Sequence, residues 1–87
     1  MKNKVLIKLI VPELDSSFDV FIPVNELVWK VKKLMIKSVY DLSGKTFEMS
    51  KDFYLINQDN GRVYDNNEIV IETDIRNATE LLAISIK

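Results

Sequence analysis

Eighty-seven residues with a net charge of −1, 47% hydrophobic and 29% charged side chains, suffice for one small domain (1–87) and do not have the composition of a disordered chain. There is no cysteine and no histidine, which removes disulfide staples, thiol nucleophiles, the usual neutral-pH general base and every common zinc site. The near-neutral balance gives no overall reason to expect nucleic acid or an anionic membrane as partner.

The first segment, Lys4 to Val11, is rich in Val, Ile and Leu and predicts a strand, with Val5, Ile7, Leu9 and Val11 on one face and Leu6, Lys8 and Ile10 on the other. Its flanking Lys2 and Lys4 resemble the start of a signal peptide, but Lys8 interrupts the apolar run and no small-residue cleavage site follows. Residues 12–16 have turn chemistry, and Phe18 to Ile22 resumes the alternation, so the two strands predict an antiparallel hairpin. Pro23 ends it.

Asn25 to Leu42 is the one long helical pattern. Leu27, Val28, Val31, Leu34, Met35, Val39 and Leu42 share an apolar face, Asn25 stands at the N-cap position and Gly44 supplies the stop. Lys30, Lys32, Lys33 and Lys37 then read as a solvated face. Trp29, Lys33, Ile36 and Tyr40 cluster roughly opposite the apolar stripe, as a recognition stripe would, unless the 43–52 loop shields them through Phe47 or Met49.

Phe53 to Asn57 predicts a third strand, Asp59-Asn60-Gly61 a tight turn, and Arg62 to Tyr64 a short return strand. Residues 68–74 read as irregular or as one short helical turn, and Glu80 to Ile86 as the last strand. The order ββαβββ with a single helix predicts an α+β roll: a mixed four- to five-stranded sheet with the helix on one face. A right-handed crossover through the helix would return the chain to the middle of the sheet.

Chemistry-bearing motifs are weak throughout. Ser16-Ser17 beside Asp15 and Asp19 lacks a base and reads as a turn. Gly44-Lys45-Thr46 lacks the upstream glycine of a phosphate loop and follows a helix instead of opening one. Asp59, Asn60, Asp65, Asn66, Asn67 and Glu68 are clustered oxygen donors without calcium-loop spacing, better explained by turn propensity. An enzyme is not expected, nor a cofactor or metal. No stretch approaches the roughly 18–20 apolar residues of a membrane-spanning helix, so direct insertion is not expected and the chain reads as cytoplasmic.

In this order the chain resembles the ubiquitin-like β-grasp family over nearly its whole length. The echoes are Ile22-Pro23 leading into a helix with Leu27 and Val31, the strand Tyr54-Leu55-Ile56 closed by Asn60-Gly61, and Ile69 and Ile75 ahead of Asn77-Ala78-Thr79-Glu80-Leu81. In size and pattern it is most similar to the free-standing YukD/EsaB-type proteins that accompany type VII (WXG100) secretion systems of Gram-positive bacteria. The resemblance implies that Val5, Ile7, Leu9, Leu81 and Ala83 face the helix. Leu6, Ile10, Leu82 and Ile84, with Ile86 at the margin, would then lie on the open sheet face, where ubiquitin carries its apolar binding patch. A one-residue slip of the last strand would instead bury Leu82 and Ile84.

Conjugated relatives end in Gly-Gly, whereas this chain ends Ser85-Ile86-Lys87. It therefore reads as a non-conjugated interaction module with protein partners, secretion-system components among them. The alternative is a ubiquitin-like or sulfur-carrier protein truncated before its tail. A homodimer through the sheet face is compatible with the first reading. Weak single-strand binding through Lys30, Lys32, Lys33 and Lys37 is disfavoured by the net acidity, and no nucleic-acid partner is expected.

Overall fold

The computed structural model describes residues 3–45 and 52–86. Among these, β1 (Lys4–Val11) and β2 (Ser16–Pro23) form the antiparallel hairpin, joined through a 3₁₀ turn at Pro12–Leu14 and by Asp15, whose φ of 51° is one an aspartate tolerates. Helix α1 (Val28–Ser43) follows, then β3 (Phe53–Asn57), a 3₁₀ turn at Val70–Glu72 and β4 (Glu80–Ser85). The sheet has four strands in the order β2-β1-β4-β3, with β4 parallel to β1 and antiparallel to β3.

Two expectations about topology are corrected. The chain leaving α1 enters the sheet at its far edge as β3, and the last strand takes the middle. Arg62 to Tyr64 is no fifth strand: only Val63 bridges Ile56. The segment makes two backbone bonds, Asn57 N–H to Arg62 O (2.8 Å) and Tyr64 N–H to Leu55 O (3.0 Å), before Asp65 turns away, too short a run for a ladder. Gly61 adopts φ 76° in the intervening turn, which a residue with a Cβ resists.

Helix α1 starts two residues later than its sequence pattern predicts, with the N-cap at Leu27. Asn25 does not cap it, and Leu27, which does, uses no side chain. The orphan amides of the first turn are met by loop carbonyls: Val28 N–H to Glu68 O (2.9 Å) and Trp29 N–H to Asn66 O (3.2 Å). This tertiary capping is invisible to a local reading. The other end stops where expected, at Gly44 in the left-handed region (φ 71°), its N–H on Tyr40 O at 2.7 Å.

The core lies between α1 and one face of the sheet. Ile7, Leu9 and Val11 of β1, Val20 and Ile22 of β2, Phe53 and Leu55 of β3, and Leu81 and Ala83 of β4 point into it, meeting Val28, Val31, Met35 and Val39 of α1. Each fully buried aliphatic side chain contributes roughly 1.5–3 kcal/mol before conformational entropy is set against it. Leu34 and Leu42 are not core residues; both are exposed, Leu42 at 61%. Lys32 replaces them on the buried face, 6% exposed. The helix is rolled so that its contact stripe runs from Val31 through Val28 and Val39 to Lys32.

Ala78 has φ 73°, a left-handed conformation costly for alanine. It is held by its N–H on Leu6 O (2.8 Å), beside Asn77, whose Oδ1 accepts from Leu6 N–H (2.9 Å) and extends the β1–β4 ladder. Ala78→Gly should raise unfolding free energy by about 0.5–1 kcal/mol, strain relief exceeding the added chain entropy. A lower urea midpoint for the glycine variant would refute this.

Candidate protein-docking faces

The alternation along each strand decides the open sheet face. With Leu81 and Ala83 buried, Leu82 and Ile84 are half-buried on the side that α1 does not cover, so the register slip is not adopted. Strand pairing then sets Ile10 opposite Leu82 and Leu82 opposite Ile56, while Val63 bridges Ile56 on the same face. The result is an apolar row across the sheet. A second row places Tyr54 opposite Ile84.

The sequence reading placed Leu6, Ile10, Leu82 and Ile84 together; the structure groups only the last three. Leu6 lies beyond Lys8, opposite Phe21, where the two make a smaller exposed pair. Between these apolar regions runs a polar row in which Lys8 faces Asp19 on one side and Glu80 on the other. Tyr54, Ile56 and Val63 were missing from the expected patch. Tyr54 and Ile56 follow from the alternation of β3, but Val63 depends on a single bridge across a turn that no local periodicity reveals.

On the helix, Trp29 is 37% exposed, with the ammonium groups of Lys30 and Lys33 lying 5.6 and 5.2 Å from its ring centroid. Tyr40 is exposed farther along the same flank, while Ile36 is half-buried against the core edge. These four side chains therefore flank the buried stripe instead of opposing it, and Ile36 serves packing on its inner side. Phe47 and Met49, the expected shields, lie outside the described residues.

The four helix lysines are not one solvated face. Lys30 pairs with Glu26 just ahead of the helix (3.6 Å) and Lys37 with Asp41 one turn on (3.5 Å), both pairs exposed. Lys32 is buried, its Nζ donating to Phe53 O (2.6 Å) and to Asp52 Oδ1 (3.2 Å) and lying 5.2 Å from the Phe53 ring centroid. Asp52 also accepts from Phe53 N–H (2.7 Å) and Asn66 Nδ2 (3.1 Å). Burial works to raise the Asp52 carboxyl, but the bonds from Asn66, Phe53 and Lys32 outweigh it and hold the group below its usual range. This cluster ties α1 to the start of β3 and to the 65–67 turn.

A second polar cluster closes the other end of β3. The Tyr64 hydroxyl donates to Asp74 Oδ1 and accepts from Asn57 Nδ2 (3.1 Å), Asn60 Nδ2 donates to Asp74 Oδ2 (3.0 Å), and Arg62 bonds Glu68 (2.6 Å) while lying 5.0 Å from the Tyr64 ring centroid. The oxygen-rich 59–68 stretch is thus spent on turns and this network. Among the described residues no group of three or more metal-ligating side chains converges, and no helix is long and apolar enough to cross a membrane.

No family model and no curated protein matches the chain. Solved structures do. The C-terminal ubiquitin-like domain of human 2'-5'-oligoadenylate synthetase-like protein superposes with a TM-score of 0.69 at 17% identity, over 100% of this chain and 88% of that one. The EccD5 ubiquitin-like domain from Mycobacterium xenopi gives 0.63 at 12% identity, over 97% and 98%. A chain of the MycP5-free ESX-5 inner membrane complex gives 0.69 at 15% identity over 98% of this chain but 22% of its own length. The architecture these neighbours share with the chain is the ubiquitin-like β-grasp, with one helix held on one face of a mixed four-stranded sheet.

Proposed function

We propose that this chain is a non-catalytic ubiquitin-like protein-interaction module, an accessory or regulatory component of a bacterial type VII (WXG100) secretion system of the YukD/EsaB kind. In this reading it is cytoplasmic and works at the periphery of a membrane complex. The observation that carries the module reading is the apolar row Ile10–Leu82–Ile56–Val63, with Tyr54 and Ile84 beside it, on a sheet face that the single helix leaves bare. Two neighbours in fold, a ubiquitin-like domain of EccD5 and a chain of an ESX-5 inner membrane complex, support the secretion context. Trp29, Lys33, Ile36 and Tyr40 form the second candidate contact, with Ile36 bracing the others from below.

The test is capture of secretion-system components, identified by mass spectrometry, from the native cytosol and membrane fraction. Wild type is run beside Leu82→Lys and Trp29→Ala, each first matched to wild type by circular dichroism. Leu82→Lys is expected to lose the captured component at least about tenfold, because an ammonium would have to be desolvated in the contact. Trp29→Ala should lower capture by a smaller factor. Retention of every captured component by a folded Leu82→Lys variant would sink the sheet-face assignment, and capture of no secretion component at all would sink the secretion context.

A further inference from the structure

Around the apolar row the open sheet face is unevenly charged. Two shallow hollows of about 480 and 520 Å³ lie on either side of the Lys8–Glu80 divide, one reaching Asp19, Leu6 and Asn77, the other Asp15, Ile10 and Ser17. Their charged lining is three carboxylates (Asp15, Asp19, Glu80) and one ammonium (Lys8), a net of −2. Among the described residues, none of these four enters an ion pair within 4 Å. The opposite side of the molecule, the outer helix, carries Lys30, Lys33 and Lys37.

We propose that the sheet face selects a polypeptide segment whose apolar contact residues are bordered by lysine or arginine, the apolar part seated on Ile10, Leu82 and Ile56 and the basic border on Asp15, Asp19 and Glu80. This rests on the interaction-module reading above and names the chemistry of its partner. An apolar segment supplies the area. The carboxylates bordering it decide which segments dock, since rim charges act mainly on encounter and on rejection of like charge. Lys8 stands between Asp19 and Glu80 in the strand register and offsets one of the three carboxylates, which leaves the border acidic. An acidic segment would set its charges against that border, while a basic one finds Asp19 and Glu80 in the row next to Ile10 and Leu82, and Asp15 in the hollow that Ile10 lines.

The experiment is selection from a random-peptide phage library on immobilised wild type, counter-selected on Leu82→Lys, followed by affinity measurement on synthetic versions of the enriched peptides. Asp19→Asn/Glu80→Gln removes two rim charges at nearly constant shape, and Ile10→Lys stands in for Leu82→Lys should the latter lose its fold by circular dichroism. The expected result is a set of Leu82-dependent peptides with an apolar run flanked by Lys or Arg. These should bind the charge-neutralised variant about tenfold more weakly at low salt, a difference that shrinks as salt is raised. Leu82-dependent peptides that are neutral or acidic would overturn the charge assignment and leave the module reading standing. Absence of any Leu82-dependent peptide would overturn both. Concentration-dependent self-association that Leu82→Lys abolishes, measured by sedimentation, would make a second copy the occupant and overturn the partner assigned here.

Discussion

Replacing Lys32 by alanine is expected to lower the unfolding free energy by about 2–4 kcal/mol, a large share of the roughly 4–13 kcal/mol that a chain of this length commands. Three losses coincide. Phe53 O loses a short bond of 2.6 Å, Asp52 loses its ammonium, and the aliphatic stem leaves a void beside Phe53. Lys32→Met keeps the stem and should cost less than Lys32→Ala, by the void beside Phe53 alone, because both polar losses remain. Lys33→Ala, one residue on and exposed, should lie within about 0.5 kcal/mol of wild type. Urea unfolding of the three variants decides the matter; equal midpoints for Lys32→Ala and Lys33→Ala would show that the buried ammonium holds nothing together. The acid limb adds a signature. Asp52 titrates below its usual range in the folded state, so its contribution is present above the ordinary carboxylate pKa and is lost as pH falls through the lowered folded value. Asp52→Asn should flatten that part of the acid profile, modestly, since its side chain is partly open to solvent.

Lys32 also marks where the sequence stops being legible. The 100° spacing of Val28, Val31, Met35 and Val39 identifies a buried stripe, and the alternation in β1 and β2 separates the two faces of each strand. What spacing cannot tell is how far the stripe is rolled. Leu34 and Leu42 match it by hydrophobicity and Lys32 does not, yet tertiary partners reverse the assignment. Phe53 O and Asp52 wait on one side of the helix, while Leu42 is left exposed near its C-terminal end. The same holds at the N-terminus, where carbonyls from residues 66 and 68 do the work an Asn25 side chain was expected to do. Long-range pairing is the common cause, and it accounts as well for Val63 in the apolar row.

For function, the consequence is that the candidate faces are defined by register more than by composition. Isolated exposed aliphatics carry no message on a protein of this size. Four aliphatics brought to one line across three strands and a bridge do, with Val63 exposed and Ile10, Leu82 and Ile56 half-buried on the face that α1 does not cover. The helix lysines give the converse lesson. A run of four cations suggests a polyanion site, but one is buried and two are paired with carboxylates four residues away, which leaves Lys33 beside Trp29 as the cation with no carboxylate in reach among the described residues. That is a poor footprint for a phosphate backbone and an adequate one for the margin of a protein contact.

Tyr64→Phe is expected to cost about 1.5–3 kcal/mol near neutral pH, and the cost should be bell-shaped in pH. Tyr64 is 2% exposed, and its hydroxyl joins Asn57 to Asp74, so phenylalanine leaves a buried amide and a carboxylate each short of a partner. Burial, then the bond to the Asp74 carboxylate, pushes the Tyr64 hydroxyl up to about 12 from an ordinary value near 10. A raised folded value means the contribution is intact below pH 10 and disappears as pH climbs from 10 through 12, when the unfolded chain ionises more readily than the folded one. At the other end, the same bond, received from the Tyr64 hydroxyl, holds the Asp74 carboxyl below its usual range, helped by Asn60 and Arg62. A lowered folded value is stabilising above the ordinary carboxylate pKa and loses its effect as pH falls through the depressed one. The difference between wild type and Tyr64→Phe, measured by urea unfolding from pH 2 to pH 12, should therefore be widest between about pH 5 and 9 and narrow toward both extremes. A difference constant across that range would show that the ring, and not the hydroxyl bridge, is what closes this end of β3.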